Sequence, residues 1–386
     1  MERIAITPRD GWQGIVTEEG LTFHMTDDKL YWDESAFYSF TAAEIDALET
    51  ATYALNEMCL AAVEHVVSEN RFADFDIPAA FVPWIKQSWE RDERTIYGRF
   101  DFAFDGSQIK MLEYNADTPT CLIEAAVAQW HWFKAIAGDN PALDQFNSLH
   151  ERLIEAWRAA KAASGGTSDI LYFSSVVDDD TGGEDYMTAN YLRDTAAQAG
   201  WNTAFIAVHD IGYHPLRGYT DLAERPIRHI FKLYPWEWLV RERFGKHLLT
   251  APTRWLEAPW KMILSNKAIL PTLYRLFPDS PYLLRADFAP LPGDYVEKPL
   301  LGREGANTRI VLGGTVTAQR GGDYGGGRSV YQEYVSLKNF GHGFPVIGSW
   351  MVNGYAAGIG IREDEHPITG NDCRFVPHLF ETATGT

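Results

Sequence analysis

Arg99-Phe100-Asp101-Phe102-Ala103-Phe104-Asp105-Gly106-Ser107-Gln108-Ile109-Lys110-Met111-Leu112-Glu113-Tyr114-Asn115 alternates polar and apolar side chains around an Asp-Gly pair, the pattern of two strands joined by a turn. Arg99 and Asp101 share one face, and Phe100, Phe102 and Phe104 the other. On the returning strand, Met111, Glu113 and Asn115 fall on a common face. With a turn centred on Ser107, Asp101 stands opposite Glu113 and Arg99 opposite Asn115. Like charges directly opposite destabilise a sheet, so this register asks for a cation between the carboxylates. Two carboxylates and an amide oxygen are hard ligands that suit Mg2+. Arg99 then points toward the same anionic ligand. The alternative is a solvated hairpin face with Arg99 paired to Glu113.

Later in the chain, Ser265-Asn266-Lys267-Ala268-Ile269-Leu270-Pro271 reads as a helix start capped by Ser265 or Asn266, with Lys267 in the first turn. A cation there opposes the helix dipole, so it is either exposed or shares an anion such as phosphate with that dipole. Lys298 closes the strand Tyr295-Val296-Glu297 and leads into Pro299-Leu300-Leu301-Gly302-Arg303-Glu304-Gly305-Ala306-Asn307. A lysine entering a glycine-containing loop suits phosphate binding, although the loop is not a Walker A pattern and also reads as a surface turn. Arg362 follows Gly358-Ile359-Gly360-Ile361 and suits charge stabilisation at a transferring phosphoryl group. A surface pair with Glu363 or Asp364 is the plainer alternative. Gln332 and Glu333 could meet an adenine edge or close a hairpin.

Around these segments the chain alternates. Thr41 with Glu44 forms a capping box for a helix that runs to Ser68. Thr118-Pro119 reads as cap and first turn of a helix over Leu122 to Ala137, and another spans about Gln145 to Ala163. A break at Ser164-Gly165-Gly166 precedes a strand from Asp169 to Val177, a helix from Tyr186 to Gly200, and strands at Thr203 to Val208 and Ile230 to Tyr234, which suggests an α/β layer. From Tyr295 onward, short strands and glycine pairs suggest an antiparallel sheet with mobile loops. Approximate sub-regions are 1–164, carrying the hairpin, 165–260, an α/β substrate lobe, and 261–386, an ATP-binding lobe.

A length of 386 residues with 46% hydrophobic content and 13 Trp places the chain among folded globular proteins. Its net charge of -19 argues against nucleic acid and membrane surfaces as partners. The start carries no signal peptide and no stretch approaches a membrane span. Three scattered cysteines give neither a disulfide framework nor zinc-finger spacing, so a cytoplasmic setting is the simplest.

Taken together, Arg99-Phe-Asp101, Leu112-Glu113-Tyr114-Asn115-Ala116-Asp117-Thr118, Asn266-Lys267-Ala268-Ile269-Leu270-Pro271, Lys298-Pro299 with the following glycine loop, and Gly360-Ile361-Arg362 resemble the glutathionylspermidine synthase family. The likeness extends to Phe231-Lys232-Leu233-Tyr234-Pro235-Trp236-Glu237 and Ile347-Gly348-Ser349-Trp350, and is greatest for stand-alone acid–amine ligases. The resemblance implies an α/β, circularly rearranged ATP-grasp fold acting as a single module. It implies Asp101, Glu113 and Asn115 as Mg2+ ligands, and Lys267, Lys298, Gly305, Gln332 and Glu333 at ATP. Arg99, with Asp101 also touching the nucleotide, and Arg362 would meet the reacting acyl phosphate. Thr118 and Glu184 match substrate contacts.

Two departures shape the expectation. The chain begins at the synthetase, so the amidase domain of bifunctional members is expected to be absent. Leu233 stands where the family has a glutathione-contacting threonine, which puts glutathione and spermidine in doubt as substrates. The expected activity joins a small carboxylic acid to an amine, peptide or polyamine partners included, with ATP and Mg2+. Its rivals are a nucleotide-binding module without ligase chemistry and a metal-dependent hydrolase.

Overall fold

The computed structural model describes residues 1–26, 29–177 and 183–382. The hairpin forms as strands Tyr97–Phe104 and Ile109–Asn115. It is the edge of a five-stranded antiparallel sheet whose other members are Phe344–Val352, Tyr355–Asp364 and Arg374–Val376. Arg99 pairs with Asn115 and Asp101 with Glu113, as the alternation predicts. The turn is not centred on Ser107, however. Phe102 pairs with Met111 and Phe104 with Ile109, so the loop is 105–108 and Leu112 is an extra residue between Met111 and Glu113. That bulge carries Met111 to the phenylalanine face, where it is fully buried, instead of beside Glu113. Asp105 closes the loop by accepting the N–H groups of Ser107 and Gln108, each at 2.8 Å. On the apolar face Phe100 stacks on Tyr114 with centroids 3.8 Å apart.

Helix Ala42–Ser68 covers this sheet. Thr41 and Glu44 make the expected capping box, and Ile45, Leu48, Leu55 and Cys59 are buried. Each large apolar side chain so buried contributes about 1.5–3 kcal/mol. The capping residues of other helices depart from expectation. Helical structure begins at residue 122 with a π turn, Glu124–Ala128, followed by Gln129–Ala137. Thr118 and Pro119 lie ahead of it because Asp117 and Thr118 are held by tertiary bonds and Cys121 has a left-handed φ of 64°. The next helix starts at Leu149, not Gln145, whose amide donates to the carbonyls of Gln129 and His378. Lys267 sits just before helix Ile269–Leu276, not in its first turn, and Asn266 accepts the Ala268 N–H at 2.9 Å.

The middle of the chain builds a four-stranded parallel sheet, ordered Arg254–Leu256, His229–Leu233, Ile170–Ser175, Asn202–Phe205. Helices Leu149–Ala163 and Glu184–Gln198 pack on each other, and the latter covers the sheet. After it comes the antiparallel sheet that the glycine-rich texture predicts, ordered Ala286–Asp287, Ser329–Glu333, Tyr295–Pro299, Arg309–Leu312, Thr315–Gln319. Among the described residues no helix is long and apolar enough to cross a membrane.

Candidate functional site

The hairpin sheet and the antiparallel sheet both line an open cavity of about 790 Å³. Arg99, Asp101, Glu113, Asn115, Thr118, Glu184, Lys267, Lys298, Gly305, Gln332, Glu333 and Arg362 all lie on its wall. Residues separated by more than 260 positions therefore meet, which no local pattern requires.

Cross-strand pairing sets the acidic end. Arg99 donates from Nε to Asp101 Oδ1 at 2.8 Å and from Nη1 to the Thr120 carbonyl at 2.6 Å. Arg362, from the strand two away, donates to Asp101 Oδ2. Its alternative partners are taken, Glu363 by Arg3, Arg374 and Tyr38, and Asp364 by Arg320. Gly348, paired with Asp101, leaves the space that Arg99 fills, since a Cβ there would lie 2.7 Å from Arg99 Cδ. Glu113 is bridged instead by Lys267 at 3.1 Å. Burial would raise the Glu113 pKa, but Lys267 and Lys298 outweigh it and hold the carboxyl below its ordinary range. Asn115 donates from Nδ2 to Asp101 at 3.0 Å and to Glu113 at 3.3 Å. Three oxygen-bearing groups thus converge, and a half-turn of the amide brings its oxygen to the same point.

Lys298 is buried between the two sheets. Its Nζ donates to Gln332 Oε1 at 2.8 Å and to the Leu112 carbonyl at 2.9 Å. Leu112 is the bulged residue, so its carbonyl is free for the lysine. Burial, with Lys267 nearby, pushes the Lys298 pKa down to about 8 against the pull of Glu113. Gln332 Nε2 donates to the Met111 carbonyl at 3.0 Å, so the oxygen and the nitrogen of its amide together tie Lys298 to the hairpin. Glu333 lies on the same wall, its main-chain N–H bonded to the Arg285 carbonyl. Val296, Ile310, Val335, Leu337 and Val346 give this end an apolar lining. Gly305 has a left-handed φ of 69°, and a Cβ there would sit 2.6 Å from the Thr369 carbonyl.

At the other end lie Thr118 and Glu184. Thr118 Oγ1 accepts from Arg303 at 2.8 Å. Burial, then the neighbouring carboxylates Glu124, Asp185 and Glu304, push the Glu184 pKa up to about 8. Ligand atoms of Cys121, Glu124 and Glu184 lie within 4.8 Å of one another, and Tyr31 donates to Glu124. Sequence reasoning did not single out Arg303, Glu124 or Tyr31. Arg303 stood in the quoted glycine loop, whereas Glu124 carried no signal beyond a polar residue among alanines. Leu233 is 2% exposed within the core and does not line the cavity.

Comparison with known proteins places the chain in a family. A family model described as glutathionylspermidine synthase preATP-grasp matches residues 3–381. A Haemophilus influenzae protein named as an acid–amine ligase is 43% identical over 367 residues, covering 92% of each chain. Trypanothione synthetase of Crithidia fasciculata is 31% identical, with 83% of this chain matching 53% of that protein. Bifunctional glutathionylspermidine synthetase/amidase of Escherichia coli is 28% identical, 89% of this chain matching 59% of it. The chain thus spans little more than half of those two longer relatives. A glutathione synthetase-like effector of Globodera pallida, 10% identical, shares the fold with a TM-score of 0.57 over 95% of this chain and 97% of its own. The mixed α/β fold is accordingly of the ATP-grasp type, and the chain belongs to the glutathionylspermidine synthase family.

Proposed function

We propose that the chain is an ATP- and Mg2+-dependent acid–amine ligase that forms an amide through an acyl phosphate. The observation that carries this reading is the convergence of Asp101, Glu113 and Asn115 with Lys267, Lys298, Arg99 and Arg362 on one cavity wall. A Mg2+ ion held by Asp101, Glu113 and Asn115 would neutralise phosphate oxygens of ATP. Lys267 and Lys298 hold those phosphates in the ground state. The apolar lining by Val296, Ile310 and Leu337 receives the base. Arg99 and Arg362 bind the reacting carboxylate and offset charge as the phosphoryl group transfers and as the tetrahedral oxyanion forms. The 302–307 loop shields the acyl phosphate from water.

Glu184 holds the amine in this reading. A carboxyl with a pKa near 8 is mostly protonated at neutral pH, and a cationic amine bound beside it would lower that pKa and free the carboxylate to accept a proton. The acid and amine are small molecules, and Leu233, which lies in the core away from the cavity, does not bear on their choice. The chain works as one synthetase module, with sub-regions 1–164, 165–260 and 261–386. Its three thiols, all free and buried, suit the cytoplasm. The test is a mass-spectrometric screen of paired acids and amines for products that need both ATP and Mg2+. Consumption of ATP with no amide product from any pair would sink the reading.

A further inference from the structure

Asp117 is 1% exposed and both of its carboxylate oxygens are occupied. Lys232 donates to Oδ1 at 2.6 Å and the Trp236 main-chain N–H to Oδ2 at 2.9 Å. Lys232 itself is 1% exposed and lies 4.1 Å from the Trp236 ring centroid. Burying both charges of a pair gains little stability, because desolvation offsets the attraction. The pair therefore calls for another explanation.

Its neighbours supply one. Asp117 precedes Thr118, which accepts from Arg303 Nη1 at 2.8 Å. Arg303 Nη2 donates to Glu237 at 3.2 Å. Glu237 follows Trp236, whose N–H returns to Asp117. The contacts close a ring: Asp117, Thr118, Arg303, Glu237, Trp236 and back to Asp117. It joins the end of the metal hairpin, the short helix Trp236–Leu239 that follows strand His229–Leu233, and the glycine loop of the antiparallel sheet, three segments far apart in sequence. The Arg303 Nε–H is buried and has no hydrogen-bond partner among the described residues.

We infer that Lys232, Asp117 and Glu237 are positioning residues that hold Arg303, and with it the 302–307 loop, against the cavity. Lys232 fixes the Asp117 carboxyl group in place through its bond to Oδ1. Asp117 sets the position of Thr118 and of the Trp236–Glu237 backbone, and those two points hold the guanidinium in one plane. Removing the Glu237 charge releases one side of Arg303 without leaving a fully buried ion unpaired. Removing both Lys232 and Asp117 charges releases the base of the ring.

The test is hydrogen exchange by mass spectrometry on the full chain without nucleotide. In Glu237→Gln, the 302–307 amides should exchange about tenfold faster or more, while the melting temperature stays within about 2 °C, because local opening and global unfolding are separate events. The double variant Lys232→Met with Asp117→Asn should remain folded and show the same loop acceleration. Loop exchange within about twofold of the wild type in Glu237→Gln overturns the inference, whether or not the double variant folds. So does wild-type loop exchange in a folded double variant, which would make the buried pair purely structural. The readout needs neither substrate nor ATP turnover, so failure of the ligase reading would appear separately, in the product screen.

Discussion

Lys267 and Glu113 are joined at 3.1 Å, although the first is read as a phosphate ligand and the second as a metal ligand. Asp101 has the same arrangement with Arg99 and Arg362. The cations and carboxylates of the cavity therefore satisfy one another, and in the proposed ligase each cation would change partner as nucleotide binds. Mg2+ binding at the carboxylates would release the cations for phosphate, and phosphate would release the carboxylates for Mg2+. Thermal shift should show this coupling. Stabilisation by ADP with Mg2+ should exceed the sum of the two ligands alone, and strict additivity would refute the exchange of partners.

Glu113→Gln and Asp101→Asn should each abolish Mg2+-dependent ATP turnover, because each removes half of the charge offered to the cation. Their stabilities should differ. Glu113→Gln leaves Lys267 bonded to the Gly302 carbonyl, so its melting temperature should stay close to wild type. Asp101→Asn leaves the buried Arg99 and the partly buried Arg362 facing a neutral amide and should cost about 1–3 kcal/mol. Turnover close to wild type in both variants would exclude the metal assignment. The measurements are ATP consumption and thermal melting.

Lys298→Ala should chiefly weaken nucleotide binding, and Arg362→Ala should chiefly lower turnover. Losing one well-aimed donor to transition-state charge costs about 100- to 1,000-fold, roughly 2.7–4 kcal/mol. An exposed ion pair is worth only about 0–1 kcal/mol. Arg362 keeps more than a third of wild-type turnover on truncation only if its role lies outside the reaction, a loss under about 0.7 kcal/mol. Nucleotide affinity and steady-state rates on variants checked by circular dichroism distinguish the two roles.

Glu184 predicts a pH dependence of stability. Its folded pKa, about 8, lies above the ordinary 4.5, so the folded chain binds this proton more tightly than the unfolded one. The stabilisation is complete below about pH 4.5 and is lost progressively as pH rises toward 8, with a slope of at most about 1.4 kcal/mol per pH unit. Glu184→Gln should flatten that part of the profile in denaturant melts between pH 5 and 9. An unchanged slope would show that the carboxyl titrates normally.

Much of the site was legible because its chemistry conflicts with ordinary sheet design. Asp101 opposite Glu113 is unfavourable without a cation, so the alternation singled out the pair, while a solvated hairpin face stayed open and the metal role came from the resemblance. The residues around Thr118 were harder. Thr-Pro before an apolar run is a sound helix start, yet Arg303 takes the hydroxyl and the π turn begins only beyond Cys121. Lys267 was likewise read from a local cap, while its position is set by the Gly302 carbonyl and Glu113. The bulge at Leu112 left no mark on the pattern, because tertiary partners demand it. Lys298 takes the Leu112 carbonyl and Gln332 that of Met111.

That bulge also decides which changes in chain length the hairpin tolerates. The Tyr97–Phe104 strand is gripped on its other edge by Phe344–Val352, and Leu112 is gripped by Lys298. Residues added within 105–108 would lengthen a solvent loop and leave Glu113 where it is. Deleting Leu112 would also keep Glu113 opposite Asp101, because Met111 already pairs with Phe102, but the carbonyl that holds Lys298 would be lost. Natural variation in this hairpin should therefore gather at the tip, with insertions there and none lost between Met111 and Glu113.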